Sequence, residues 1–254
     1  MERIIQFVLG VVRLMKRLGN LDTIVRLFAA SALYLLVTVT ATAQNSLVVV
    51  ELYTSQGCSS CPPADRLIRQ IAKRDEVVAL SLHVDYWDYI GWKDEFALAS
   101  NAIRQRAYAK AYGRRTIFTP EMIINGRQSV VGSHTTKVVR NVEKQASQPP
   151  IAAVKINRKN DLLSIDATLL QGIDQDIIVQ LVRFAPDRMI SIRAGENAGR
   201  NLTYTNVVTS WENIAKWGGQ EDLSLQVPIQ GPEGVVVLLQ QDNFGPILAA
   251  AKLN

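Results

Sequence analysis

Cys58 and Cys61 are the two cysteines of this 254-residue chain, spaced as Cys-Ser-Ser-Cys. Two intervening residues put the sulfurs within bonding range. A helix running from Ser59 to Arg74 would set Cys58 at its N-terminus. There the backbone N–H groups and the helix dipole stabilise a thiolate, the attacking species in disulfide exchange. Cys61, about one turn further in and more buried, would reach back and release the mixed disulfide. On this reading the Cys58 sulfur is open to water. Two other readings stay open. A static disulfide here would close only a tiny loop and constrain the unfolded chain little. A metal site is the other, since two thiolates suit a soft ion such as Cu(I), with His83 as a third ligand.

Four further groups of residues could serve this chemistry. Glu51 lies in an otherwise apolar run just before the cysteines, where a buried carboxylate could take the proton of Cys61. Thr119-Pro120 precedes a short apolar run. A cis X-Pro bond there would turn the chain to face the cysteine pair and offer backbone groups to an extended substrate. Tyr86, Trp87 and Trp92 follow a strand, on the side where open α/β sheets bind ligands, and could wall a groove over Cys58. Packed aromatics capping the sheet would look the same. For His83, a satisfied core histidine competes with a ligand.

These side chains need a scaffold, and the pattern supplies one. Leu47 to Tyr53 and Val77 to Val84 are apolar, β-branched runs that read as buried strands. Between them Leu67, Ile68, Ile71 and Ala72 recur at helical spacing, with Pro62 and Pro63 in a first turn where a missing N–H costs little. Residues 95–112 read as helix. Asn125-Gly126 between Glu121–Ile124 and Gln128–Val131 is a strong hairpin signal. Ser133 can cap a last helix burying Val138, Val139 and Val142. Strand, helix, strand, helix, hairpin, helix is the order of a minimal thioredoxin-like fold, spanning residues 44–148. Beyond Pro149-Pro150 the chain turns to short alternating runs. A mainly antiparallel β domain is expected over 151–254, packed on the first domain or continuous with it, with a helical piece near Trp211–Trp217.

Composition narrows the partners. The formal charge is +5. Residues 1–43 read as an export signal: basic residues up to Arg26, an apolar run from Leu27 to Val39, then Ala41-Thr42-Ala43 before a cleavage at Gln44. Removing that segment leaves 23 basic against 21 acidic side chains. A near-neutral mature chain gives no electrostatic reason to bind nucleic acid and, once cleaved, none to hold a membrane. Met15-Lys16-Arg17 would make a more ordinary signal start than Met1. Export places the protein in the periplasm or outside the cell, where a cysteine pair can cycle or stay closed.

Several longer motifs carry a resemblance. They are Glu51 to Asp65 (ELYTSQGCSSCPPAD), His83 to Asp88 (HVDYWD), Gly91 to Asp94 (GWKD), Arg104 to Tyr108 (RQRAY), Thr119-Pro120, and Gly195 to Arg200 (GENAGR). Together they resemble a family of secreted bacterial proteins known only as a domain of unknown function. The resemblance covers nearly all of the mature chain and implies export and a thioredoxin-like fold, but no reaction. Against ordinary thioredoxins, Gly57 stands where a tryptophan precedes the first cysteine, and Ser59-Ser60 replaces Gly-Pro. The reading of function is an exported thiol–disulfide oxidoreductase with no cofactor beyond its own disulfide, acting on protein thiols or disulfides. Copper binding or partner docking on the same fold is the alternative.

Overall fold

A computed structural model describes residues 47–254. The export-signal reading, with its cleavage at Gln44 and the choice between Met1 and Met15, lies outside the described residues. The protein is a mixed α/β structure dominated by sheet. The first half contains β1 (Val48–Thr54), α1 (Pro62–Ile71), β2 (Val77–His83), α2 (Ala99–Ala111), β3 (Glu121–Ile124), β4 (Gln128–Val131) and α3 (Thr135–Ala146). The rest is strand: β5 (Ala152–Lys159), β6 (Leu162–Leu169), β7 (Ile177–Ser191), β8 (Asn201–Trp217), β9 (Leu223–Pro228), β10 (Gly234–Gln241) and β11 (Ile247–Leu253). No helix among the described residues is long and apolar enough to cross a membrane.

Eight strands form one sheet in the order β11-β10-β7-β8-β2-β1-β3-β4. β1 runs parallel to β2 and antiparallel to β3. All seven residues of β1, and all seven of β2, are buried. Strand alternation sends Val48, Val50 and Leu52 to one face, where they meet Leu67, Ile68 and Ile71 of α1 and Val138 and Val142 of α3. Val49 and Tyr53 go to the other face with Leu80, Leu82, Tyr108 of α2 and Phe184 of β7. Both faces are covered, which is why these strands read as near-continuous apolar runs.

Four strands beyond Pro150 extend this sheet, and three form a second one, β5-β6-β9. Val154, Leu163 and Ile165 of the small sheet pack on Val179, Val237 and Leu239 of the large one, making a local sandwich. The join between the halves is narrow. Ser81 pairs with Val207, the Ser81 hydroxyl donates to the Thr205 carbonyl at 2.7 Å, and the Asn206 amide donates to the Ala79 carbonyl at 2.8 Å.

Two local expectations need correction. Trp211–Trp217 is not helical but the end of β8, paired along its length with β7. A register shift opposite Val179 and Gln180 breaks the strict alternation here, and cross-strand partners decide the matter. The last helix takes His134, not Ser133, at its N-cap, and no side chain caps it. The hairpin turn at Asn125-Gly126 forms with both residues at positive φ, 49° and 62°, and Arg127 completes the loop between the strands. Asn125 also ties the hairpin to the sheet, accepting from the Val49 N–H at 2.7 Å.

Candidate functional site

Cys58 and Cys61 are joined as a disulfide, with Cα atoms 5.4 Å apart. The helix begins one turn later than expected. α1 starts at Pro62 with Cys61 as its N-cap, and Cys58 to Cys61 is a turn closed by Cys61 N–H donating to the Cys58 carbonyl at 3.2 Å. The expected cradle of free amides is also thinner. Pro62 and Pro63 have no N–H, and the amides of Ala64 and Asp65 both donate to the Cys61 carbonyl. Near the first sulfur stands the Ser60 hydroxyl, 3.4 Å from Cys58 Sγ.

The structure overturns the expectation that Cys58 is open to water: the residue is 1% exposed. The cover comes from a segment 139 residues away in sequence. The β7–β8 connection, residues 192–200, folds over the cysteine loop. Asn197, itself 1% exposed, donates to the carbonyls of Gln56 at 2.9 Å and Cys58 at 3.0 Å. The Arg200 guanidinium donates to the Asn197 side-chain oxygen Oδ1 at 3.0 Å. The Ser59 N–H points to the Glu196 carboxylate at 3.4 Å, and Gly195 lies against Trp92. The sequence showed a polar, glycine-bearing loop here but nothing about where it docks.

The aromatic residues divide. Trp87 donates to the Thr119 hydroxyl at 2.7 Å and its Cβ stands where any side chain at Gly57 would go. Trp92 donates to the Gln56 side chain at 2.7 Å. These two therefore brace the cysteine loop. The Thr119–Pro120 peptide is cis, and Pro120 is buried. Gly132 lets the Pro120 turn approach α1: a Cβ there would sit 3.3 Å from Pro120 and 3.1 Å from Ala64. The Tyr86 hydroxyl donates to Gln105 of α2 at 3.1 Å, and its ring lies 6.3 Å from that of Trp87. Tyr89, exposed and stacked on Trp87, is the open aromatic of the group.

Glu51 is the second reading to fall. It alternates with Leu52, so it leaves the face that carries α1 and points away from Cys61. Arg104 grips both carboxylate oxygens, at 2.7 and 3.0 Å, while Tyr53 and Tyr108 donate to them at 3.0 and 2.8 Å. A carboxylate so fully occupied serves the architecture rather than the cysteines. Burial alone would pull the Arg104 guanidinium down, but the charge of Glu51 outweighs it and holds Arg104 protonated.

The buried acid on the cysteine side is Asp65, in the first turn of α1. Thr54 donates to its Oδ1 at 2.8 Å, and Oδ2 has no hydrogen-bond partner. Burial pushes the Asp65 carboxyl from 3.8 up to about 7; the Thr54 hydroxyl and His83 pull it back part of the way. Thr54 and His83 are register partners at the ends of β1 and β2. His83 Nδ1 lies 2.7 Å from Asp94 Oδ2, which also accepts from the Gln56 N–H at 2.8 Å. Tyr204 of β8 stands edge-on to the His83 ring at 4.4 Å. His83 is thus a packed core histidine. Among the described residues no three His, Cys, Asp or Glu are grouped to hold a metal ion. Sequence reasoning passed over Asp65, because an acid in a first helical turn reads as a dipole partner. Tyr204 left no local signal at all.

A pH-dependent stability follows from Asp65. Its folded pKa is raised, so its contribution is complete below pH 4 and lost as the pH climbs through about 7. The upper bound is on the order of 4 kcal/mol, from about three pKa units. Urea unfolding at pH 5 and pH 8 should show Asp65→Asn gaining on wild type as the pH rises. Parallel curves would show that the carboxylate ionises as freely as in water.

A family model described as "Protein of unknown function (DUF1223)" matches residues 49–240. Among solved structures, the chain is similar to a crystal structure of an Agrobacterium tumefaciens protein, at 30% identity and TM-score 0.70. The match covers 83% of this chain and 96% of that one. HBP35 of Porphyromonas gingivalis shares the fold at 14% identity and TM-score 0.56, over 82% of this chain and 75% of that one. No curated protein matches.

Proposed function

Because the chain belongs to the DUF1223 family of proteins of unknown function, kinship brings no activity, and we propose one from the geometry. The protein is an exported, thioredoxin-like thiol–disulfide exchange protein in which Cys58 attacks and Cys61 resolves. The observation that carries the reading is the disulfide itself, formed at the start of α1 at the C-terminal end of β1. Support for the thioredoxin-like description is the strand order β2-β1-β3-β4 with β3 antiparallel, and Pro120 opening β3 close to α1. Thr119 and Trp87 border the partner's approach, and the exposed Tyr89 offers it an apolar face. Protein thiols or disulfides in an oxidising compartment are the partners.

With Cys58 buried, exchange requires the 192–200 segment to lift. Asn197 is the latch. Replacing it by Ala leaves two carbonyls unpaired and weakens the closed form by about 1–3 kcal/mol. The open population then rises roughly 5- to 150-fold. Reduction of the Cys58–Cys61 disulfide by a small thiol, followed by alkylation, should accelerate by that factor in Asn197→Ala; an unchanged rate would show that this segment does not control access. The function itself is tested by reacting the reduced chain with glutathione disulfide. Wild type forms an adduct and then its own disulfide, and Cys58→Ser does neither. No reaction, even in Asn197→Ala, would end the redox reading.

A further inference from the structure

We propose that Asp65 carries the proton of Cys61 during exchange, within the buried polar cluster formed by Thr54, His83, Asp94 and Tyr204. This deepens the exchange reading above and rests on it. Cys61, the N-cap of α1, stands one turn before Asp65, and the Asp65 amide donates to the Cys61 carbonyl at 3.1 Å. Positions four apart on a helix share a face. Cys61 is 0% exposed, so its proton cannot pass to bulk water directly.

The cluster is unusual in what it leaves unpaired. Asp65 Oδ2, His83 Nε2, the Tyr204 hydroxyl and Gln56 Nε2 are all buried without a hydrogen-bond partner. Buried polar atoms are nearly always satisfied, and exceptions gathered in one place call for an explanation. They are gathered here. Thr54 bonds Asp65 and pairs in register with His83; the Tyr204 ring packs on His83; Asp94 links His83 to the Gln56 backbone. Every element around Asp65 contributes. α1 supplies Arg66, β1 Thr54, β2 His83, the segment after β2 Asp94, and β8 Tyr204. None of them grips the carboxylate as Arg104 grips Glu51, so Asp65 is free to change its protonation. Its pKa near 7 suits the task.

The step balances. Cys58 thiolate attacks a partner disulfide, forming a mixed disulfide and releasing one partner thiolate. Cys61 then attacks Cys58 Sγ. The Cys61–Cys58 bond forms as the Cys58–partner bond breaks, and the bonding pair leaves on the partner sulfur. The Cys61 proton passes to the Asp65 carboxylate. The partner disulfide is reduced by two electrons and the cysteine pair is oxidised. In reverse, protonated Asp65 returns the proton to departing Cys61.

A chromogenic aromatic disulfide tests this on the full chain with its cysteine pair first reduced, since each step then frees one coloured thiolate. The first release reports Cys58 and the second reports Cys61. Asp65→Asn should leave the first release unchanged and slow the second on the order of a hundredfold near pH 7. It should also erase the inflection near pH 7 in the second step. Thr54→Val removes the hydrogen bond that favours the ionised carboxylate, so the inflection should move to higher pH. This second variant decides the matter if Asp65→Asn does not fold. Equal slowing of both releases, or an inflection that neither variant moves, would overturn the role. If wild type frees no thiolate, the exchange reading fails and takes this role with it. If wild type frees both and Asp65→Asn behaves identically, the role of Asp65 alone fails.

Discussion

A Cys61→Ala chain should accumulate stable mixed disulfides through Cys58, while Cys58→Ser accumulates none. In wild type the second cysteine is held three residues away, with its Cα 5.4 Å from that of Cys58. Attack by a neighbour so placed is intramolecular, and well-oriented groups reach effective concentrations far beyond any dissolved thiol, on the order of 10⁵ M in favourable cases. Removing Cys61 leaves the adduct to be resolved only by outside thiols, which must also pass the Asn197 latch. The lifetime of the adduct should therefore lengthen by orders of magnitude. The asymmetry between the two cysteines comes from their places in the fold. Cys61 is the N-cap of α1, fully buried and with its carbonyl committed to the helix. Cys58 lies in the preceding turn, beneath the 192–200 segment. Mass spectrometry after alkylation reads the outcome. Equal trapping by both single variants would mean that either sulfur can attack, and the proposed division of labour would be wrong.

The largest stability effect should come from Arg104→Met. Arg104 sits at the meeting point of both halves of the chain. It binds Glu51 of β1 through two nitrogens, donates to Tyr108 on its own helix and to Gln240 of β10, and lies 3.8 Å over the Trp211 ring of β8. Its loss strands a Glu51 carboxylate that is 0% exposed. Removing one partner of a buried ion pair typically costs about 3–5 kcal/mol. For a domain of this size, each kcal/mol lowers the melting temperature by about 2–4 °C. A drop of roughly 10 °C is expected, read by calorimetry. Adding Glu51→Gln to the same chain should return part of that loss, because the unpaired charge is then gone. A single variant that melts within a degree or two of wild type would show that water reaches Glu51.

The two buried carboxylates illustrate how far local pattern reaches. Glu51 stood out because it interrupts an apolar run, and Asp65 did not stand out at all. Yet β1 is buried on both faces, so no alternation in its sequence says which side Glu51 takes. Only the packing of α1 against Leu52, and of Arg104 against Glu51, separates the acid that serves the architecture from the acid beside the cysteines. His83 shows the same limit. It ends β2 at a place that suits a ligand, and Asp94, only eleven residues on, folds back to meet its Nδ1.

The sequence by itself determined the short-range features: the apolar runs of β1 and β2, the helix that follows the cysteines, the Asn125-Gly126 hairpin and the spacing that lets Cys58 and Cys61 bond. These follow from backbone preferences and from hydrogen bonds between near neighbours, which any local stretch of chain carries with it. The tertiary structure alone decided that β8 would lie beside β2, that Tyr204 would reach His83, and that Asn197 would close over Cys58. Those contacts join residues more than a hundred positions apart. Their energy depends on two surfaces being complementary, and neither surface exists until the strands on each side have formed.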